Sequence, residues 1–222
     1  MSIITPEIEY VDRSIESIRY LEHGWPSDLC RWHSHREFEL HLIVATRGKA
    51  FVGDYIGEFR PGSLFLTGPY LPHNWVTDEI TARQVSTRDM LVQFDQESVN
   101  SLSAAFPEFD DMRPMFELAC SGIEFHGFDA KLVQWRLAEI RDSSGPERIL
   151  AFLQLLVEIN QHAEMRQLSV VAVTQPEDSN KHTRIAIVVD HITQHFAEEI
   201  SLETAAELAC MSPTAFSRNF QK

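Results

Sequence analysis

Aromatic and β-branched residues recur in short runs from about residue 13 to residue 94, and glycine and proline separate the runs. Runs of this kind predict β-strands. The clearest candidates cover residues 38–46, 50–52 and 63–67. Many short strands at this spacing are typical of a β-sandwich or a β-barrel. The first part of the chain is therefore predicted to be an all-β unit.

The pattern changes at about residue 97, where apolar residues begin to recur three and four positions apart. Two sets follow this helical spacing: Val133, Leu137 and Ile140, then Ile149, Phe152, Leu153, Leu156 and Ile159. They predict two amphipathic helices, separated by residues 143–146. Their apolar faces fit packing against the β unit, and in two-domain regulators such helices often form a dimer seam.

A third pattern follows Ile200 and predicts a helix, a tight turn and a second helix. The first helix has an apolar face made of Leu202, Ala205, Ala206 and Ala209. Ser212 is suited to the N-cap of the second helix, with Pro213 at its first position. Phe216 and Phe220 would then pack inward. The pattern fits an ordinary helical hairpin as well as a DNA-reading helix-turn-helix.

The segment from residue 184 to residue 222 resembles the first half of the DNA-binding domain of AraC/XylS-type transcriptional regulators. The similarity lies in a leading helix over residues 185–196, the entry at residues 200–202 and the reading helix over residues 211–220. Members of that family carry a second such motif after a long joining helix, and the sequence given holds only the first. We therefore expect an incomplete all-α DNA-binding domain, with operator binding by a form of full length. The alternative is a shortened regulator that dimerises and does not bind DNA alone.

This resemblance implies a small-molecule effector and a homodimer, and it makes the second helix the DNA-contacting one. Thr214, Ser217 and Arg218 are the candidates for contacts in the major groove, and Lys222 is the candidate for a backbone contact. The charge is unfavourable for DNA binding by this segment alone. Four basic and five acidic side chains follow residue 180, and the whole chain carries −14.

The alternation of ionisable and apolar side chains is most informative at residues 32–43. If this stretch is extended, one side carries ionisable groups, namely His33, His35, Glu37, Glu39 and His41. The other side carries Phe38, Leu40 and Leu42 and is fit for packing. A plain half-exposed strand seldom concentrates histidine and acid in this way.

Two segments resemble the two signature motifs of the cupin superfamily. The first carries His33, His35 and Glu39, and the second carries the distant His73, where the preceding proline fixes the backbone. The resemblance implies an N-terminal cupin-like barrel of jelly-roll type. It also implies that these four residues hold a divalent metal, and such a donor set suits zinc, nickel, iron or manganese.

Three interpretations of this cluster stay open. It could hold a catalytic metal, or it could line a pocket for a small, sugar-like polar effector, with Glu37, Trp32 and Trp75 as further pocket residues. It could also be a set of polar groups that satisfy one another in the core. The helix-turn-helix pattern favours effector sensing, so no catalytic residue is assigned.

The predicted order of units is that of an effector-responsive regulator. A cupin-like barrel would span residues 1–96, a helical region residues 97–173, a polar linker residues 174–183 and the helix-turn-helix residues 184–222. The N-terminus lacks a signal-peptide pattern, no apolar run is long enough for a membrane helix, and three scattered cysteines fit a reducing compartment. We expect a cytoplasmic protein.

Overall fold

The computed structural model describes residues 7–8, 16–27, 31–78, 83–170, 172, 188, 191, 200–209 and 211–220. Over these ranges the chain forms two β-sheets and a set of helices. None of the helices described is long and apolar enough to cross a membrane.

Five strands form the smaller sheet. Their order is β1 (Glu7–Ile8), β3 (His33–Ser34), β8 (His73–Thr77), β5 (Gly48–Val52) and β6 (Tyr55–Phe59). The pair β1 and β3 is parallel, and the other neighbours are antiparallel. The register places His33 directly opposite His73.

Six antiparallel strands form the larger sheet. Their order is β11 (Glu164–Gln167), β10 (Ile123–His126), β7 (Leu64–Thr67), β4 (Glu37–Ile43), β9 (Val85–Asp95) and β2 (Ile18–Trp25). Strands β10 and β11 come from the region that the sequence pattern identified as helical.

The prediction of a closed barrel needs correction. Across the described strands no ladder joins the edge of one sheet to the edge of the other, so the two sheets form a sandwich. A sheet closes only when every edge strand finds a hydrogen-bonding partner. Strand β4 is also shorter than predicted, because it ends at Ile43 and the backbone at Thr46 is left-handed, with φ of 68°.

Helices cover the outer face of the larger sheet. They are α1 (Gln96–Ala105), a 3-10 helix (Pro107–Met112), α2 (Arg113–Ala119), α3 (Ala130–Asp142) and α4 (Gly145–His162). The two predicted helices are confirmed as α3 and α4. Ile149 was wrongly assigned to the buried face, since it is 43% exposed, and Leu155 is buried there instead.

The outer face of β4 packs against these helices as the alternation predicted. Phe38, Leu40 and Leu42 are buried in the core that the sheet shares with the helices. The Phe38 ring stacks on Phe94 and contacts Phe116, both at 5.3 Å between centroids. The other face of β4 therefore points toward the smaller sheet.

A second core fills the space between the sheets. Phe65 of the larger sheet stacks on Trp75 of the smaller one at 4.4 Å between centroids. Ile43, Ala50, Val52 and Phe59 are buried around this pair. These contacts hold the two sheets face to face, with the ionisable side of β4 in the same interior.

Near the C-terminus, helices α5 (Leu202–Leu208) and α6 (Pro213–Phe220) form the predicted pair. Ser201 caps α5 and accepts a hydrogen bond from the Thr204 backbone N–H at 3.0 Å. Three predicted core alanines are buried with Val188 and Phe216: Ala205, Ala206 and Ala209. Leu202 was wrongly included, because it is 46% exposed at the first position of α5.

Two sequence predictions fall outside the described residues. The linker at residues 174–183 is one of them. The leading helix at residues 185–196 is the other, apart from Val188 and His191, which are helical.

The N-cap of α3 gives a prediction about stability. The Asp129 carboxylate accepts hydrogen bonds from the backbone N–H groups of Lys131 and Leu132 at 2.9 and 3.3 Å. Asp129→Ala should lower the free energy of unfolding by about 1 kcal/mol in urea denaturation. Asp129→Asn keeps the accepting oxygen and should retain most of that stability. An equal loss in both variants would assign the effect to the charge near the helix N-terminus instead.

Candidate metal centre

Both sheets contribute to the ionisable cluster in the interior of the sandwich. His33 and His73 come from neighbouring strands of the smaller sheet, and Glu39 comes from β4 of the larger sheet. His35 lies in the short connection between β3 and β4. This connection turns the chain from one sheet to the other, so residues only a few positions apart approach the same point from opposite sides.

The four side chains converge closely. One nitrogen from each of His33, His35 and His73 and one Glu39 oxygen all lie within 4.8 Å of one another. The ring centroids are 4.4 Å apart for His33 and His73, and 5.1 Å apart for His35 and His73. His35, Glu39 and His73 are buried, and His33 is partly so.

Backbone carbonyl groups fix the orientation of all three imidazoles. The Nδ1 atoms of His33, His35 and His73 lie 2.8, 3.1 and 2.8 Å from the carbonyl oxygens of Arg31, Glu37 and Leu71, respectively. A carbonyl oxygen only accepts, so each Nδ1 must carry the hydrogen and donate it. A neutral ring then has a bare lone pair on Nε2. Metal-binding histidines in proteins are commonly held in this way.

The carboxylate of Glu39 faces these lone pairs. Its oxygens lie 3.1 Å from His35 Nε2 and 3.6 Å from His73 Nε2. The buried Nε2 of His73 has no hydrogen-bond partner in the part of the chain that the structure describes. Acceptors that face one another need a proton or a cation between them. The donor set and its orientation fit a divalent transition metal.

Electrostatics in the cluster favour the forms that bind metal. Burial, together with the neighbouring His73, lowers the pKa of His33 to about 3 and keeps this imidazole neutral. Burial alone would raise the pKa of Glu39. The three histidines that face it, His35, His41 and His73, outweigh burial and hold that pKa well below its ordinary value, so the carboxylate is ionised.

A buried polar network lies behind Glu39. Gln93 Nε2 donates to Glu39 Oε2 at 3.0 Å, and His41 Nδ1 lies 2.8 Å from Glu39 Oε1. On its other side, His41 Nε2 is 3.3 Å from Asp89 Oδ2, outside hydrogen-bond geometry. Burial would lower the pKa of His41, but Asp89 and Glu39 raise it to about 9, so His41 is an imidazolium between two carboxylates.

Gln93 and Asp89 complete this network and were not predicted from the sequence. Both lie on β9, whose residues alternate between the two faces of the sheet. Met90, Val92 and Phe94 are buried toward the helices, which leaves the intervening positions on the side of Glu39. The period-two pattern of this strand was the signal that could have identified them.

Of the three other residues predicted for the pocket, two lie near the cluster and one does not. Glu37 lies beside the cluster, since its carboxylate is 3.7 Å from His35 Nδ1. Trp75 is near as well, with its ring centroid 6.1 Å from that of His73 and 5.0 Å from that of His41. Trp32 packs instead with Phe51 and Val76 on the opposite face of the smaller sheet.

The predicted DNA contacts lie on or after α6. Thr214 is exposed and Ser217 is half-buried, while Phe216 between them is buried. Arg218 belongs to the same helix, but its side chain is outside what the structure describes, and Lys222 lies beyond the described residues. Thr214 therefore stands on a face of α6 that the small helical core leaves open.

No known protein family matches the sequence. The curated proteins give no match either. Among solved structures, the AraC-like transcriptional activator CuxR is similar, with 12% identity, a TM-score of 0.38 and coverage of 84% of this chain. The chain spans 61% of the length of that CuxR chain. ToxT from Vibrio cholerae is similar with 8% identity and a TM-score of 0.41, over 93% of this chain and 94% of that one. At these scores, function has to be argued from the side chains themselves.

Proposed function

We propose that the two-sheet domain binds a divalent transition metal ion through His33, His35, Glu39 and His73, as in a cupin-like sensor. The convergence of four donor atoms within 4.8 Å supports this proposal most directly. Three imidazoles with one carboxylate suit zinc, nickel, iron or manganese. The bound ion would supply a Lewis-acidic coordination position in a buried interior, where a small polar effector can be held beside Trp75.

We further propose that the protein is a ligand-responsive transcriptional regulator. The helix pair α5 and α6 has the capped entry, the small alanine core and the exposed Thr214 that a DNA-reading motif requires. Thr214, Ser217, Arg218 and Lys222 are the proposed DNA contacts. A ligand in the sandwich regulates DNA binding if its affinity differs between two arrangements of the protein.

A homodimer through α3 and α4 is part of this proposal. Large apolar side chains stay exposed on both helices, and Trp135 and Leu150 are 54% and 68% exposed. Exposed apolar patches on a monomer often mark the contact with a second subunit.

The proposal about metal is tested by elemental analysis. Protein purified without chelators and without a metal-affinity resin should contain close to one transition-metal ion per chain. His35→Ala, prepared in parallel, should contain far less of the same metal, because the site loses a buried donor. Equal metal content in both proteins, or no metal in the wild type after incubation with each of the four ions, would contradict the proposal.

The proposal about DNA is tested separately. Metal-loaded and metal-stripped protein should be offered a pool of random-sequence DNA duplexes, and bound sequences should be amplified over several rounds. The proposed contacts predict enrichment of a defined sequence, to an extent that depends on the metal, with weak binding overall because acidic side chains outnumber basic ones after residue 180. Enrichment that is unaffected by metal would argue against metal-linked regulation, and no enrichment by either form would argue against DNA reading by this chain.

A further inference from the structure

A second concave site lies away from the metal cluster, where the ends of the two sheets meet. It is a groove of about 960 Å³ between the β5–β6 hairpin and the end of β8 on one side and strands β10 and β11 on the other. None of the four metal-cluster residues lines it. A groove of this size is in the range of small-molecule sites.

Two arginines at the open end of the hairpin characterise the groove. The last backbone pair of this hairpin is Gly48 with Phe59, and Arg47 and Arg60 are the next residues on the two strands. Both side chains are exposed, and neither forms an ion pair with any residue in the described part of the chain. Like charges held close together repel. A bound anion would therefore supply a counter-charge that, among the described residues, no ion pair gives this pair of arginines.

The other charges of the groove are largely engaged. Lys49 Nζ lies 3.0 Å from Glu58 Oε1. Arg166 of β11 contacts Glu124 and donates to the hydroxyl of Tyr55 at 2.6 Å. The lining counts four Lys or Arg residues against three Asp or Glu residues, in a chain whose net charge is −14. The groove is thus a locally cationic surface on an acidic protein.

Apolar surface accompanies these charges. Tyr55 and Val76, both partly exposed, also line the groove, and the Arg166 guanidinium lies 5.4 Å from the centre of the Tyr55 ring. A simple inorganic ion would leave this surface uncovered. A molecule that carries both an anionic group and a planar or apolar body would use the arginine pair together with the Tyr55 ring and Val76.

We propose that this groove is a binding site for a small organic anion, with Arg47 and Arg60 as a paired clamp for its carboxylate or phosphate group. The site is distinct from the proposed metal centre. Arg166 spans the groove from β11 in one sheet to Tyr55 in the other, so a bound anion would contact both sheets.

The test is calorimetric titration of the whole chain with benzoate, phenyl phosphate and the neutral benzyl alcohol. We expect saturable binding of at least one of the two anions and none of the alcohol, and the stronger anion identifies carboxylate or phosphate as the preferred group. The double variant Arg47→Gln/Arg60→Gln should bind that anion at least about tenfold more weakly, since each arginine contributes a charged hydrogen bond. It should also melt at a slightly higher temperature without anion, because the repulsion is removed.

Two controls make the result specific. Arg113→Gln/Arg141→Gln makes the same change in net charge on helices outside the groove and should bind the anion like the wild type. Wild-type protein stripped of metal with a chelator should also bind the anion normally. The proposal is overturned if the wild type binds neither anion saturably at millimolar concentration, or if the Arg47/Arg60 variant binds as tightly as the wild type. It is also overturned if removal of the metal alone abolishes anion binding, which would place the anion at the metal centre.

Discussion

Glu39→Gln should weaken transition-metal binding by on the order of 100-fold or more, because loss of a group that merely supports a ligand already costs 10- to 100-fold. Glutamine keeps the size of the side chain but removes the only negative charge among the four donors. The three imidazoles stay aligned by their backbone acceptors, so the loss reports on the carboxylate itself. Competition with a chromophoric chelator measures the change in affinity.

Glu37→Gln is the matched control for this change. Its carboxylate is buried and lies 3.7 Å from His35 Nδ1, but it is not one of the four converging donors. We expect this variant to retain metal affinity within a few-fold. Equal weakening in both variants would mean that the acidic surroundings, and not a specific ligand, hold the ion. Thermal unfolding of both metal-free variants verifies that they fold.

The interior position of the site could be predicted from β4 because strand alternation is a local property. Phe38 and Leu42 identify one face, and Glu39 must then lie on the other. The proximity of His73 required the family resemblance, since nothing in the sequence alone sets the pairing of β3 with β8. Pairing between distant strands depends on the whole chain, and local pattern does not encode it.

The remaining errors have the same origin. Leu202 and Ile149 follow the helical spacing of buried residues, yet each lies near the first turn of its helix and stays exposed. Periodicity identifies a face of a helix, but which turns of that face are covered depends on the neighbouring elements. The strand pattern also predicted a sandwich, as one of two possible folds. It could not predict that ladders between the two sheets are absent, because edge pairing is decided by tertiary contacts.

Asp89→Asn should lower the free energy of unfolding of the metal-free protein by about 3 kcal/mol, the scale on which broken buried ion pairs are measured. Asp89 is 1% exposed, and its carboxylate lies 2.9 Å from His23 Nδ1, 3.3 Å from His41 Nε2 and 3.2 Å from Arg88 Nε. The amide removes the negative charge that Arg88 and the His41 imidazolium share, while the Glu39 carboxylate stays beside His41. Urea unfolding measures the loss. His23→Gln removes a single, partly exposed partner and should cost only about 1 kcal/mol.

The dependence on pH separates this charge effect from simple packing. Burial would raise the pKa of Asp89, but His41, His23 and Arg88 lower it below its ordinary value of 3.8. A depressed carboxyl pKa contributes stability that is present above the unfolded-state value and is lost as the pH falls through the folded-state value. The gap between the wild type and Asp89→Asn should therefore be full at about pH 5 to 6, where the Asp89 carboxylate and the His41 imidazolium are both charged, and should shrink below about pH 4. A gap that persists undiminished in acid would show that the carboxylate stabilises the sandwich through its shape and not its charge.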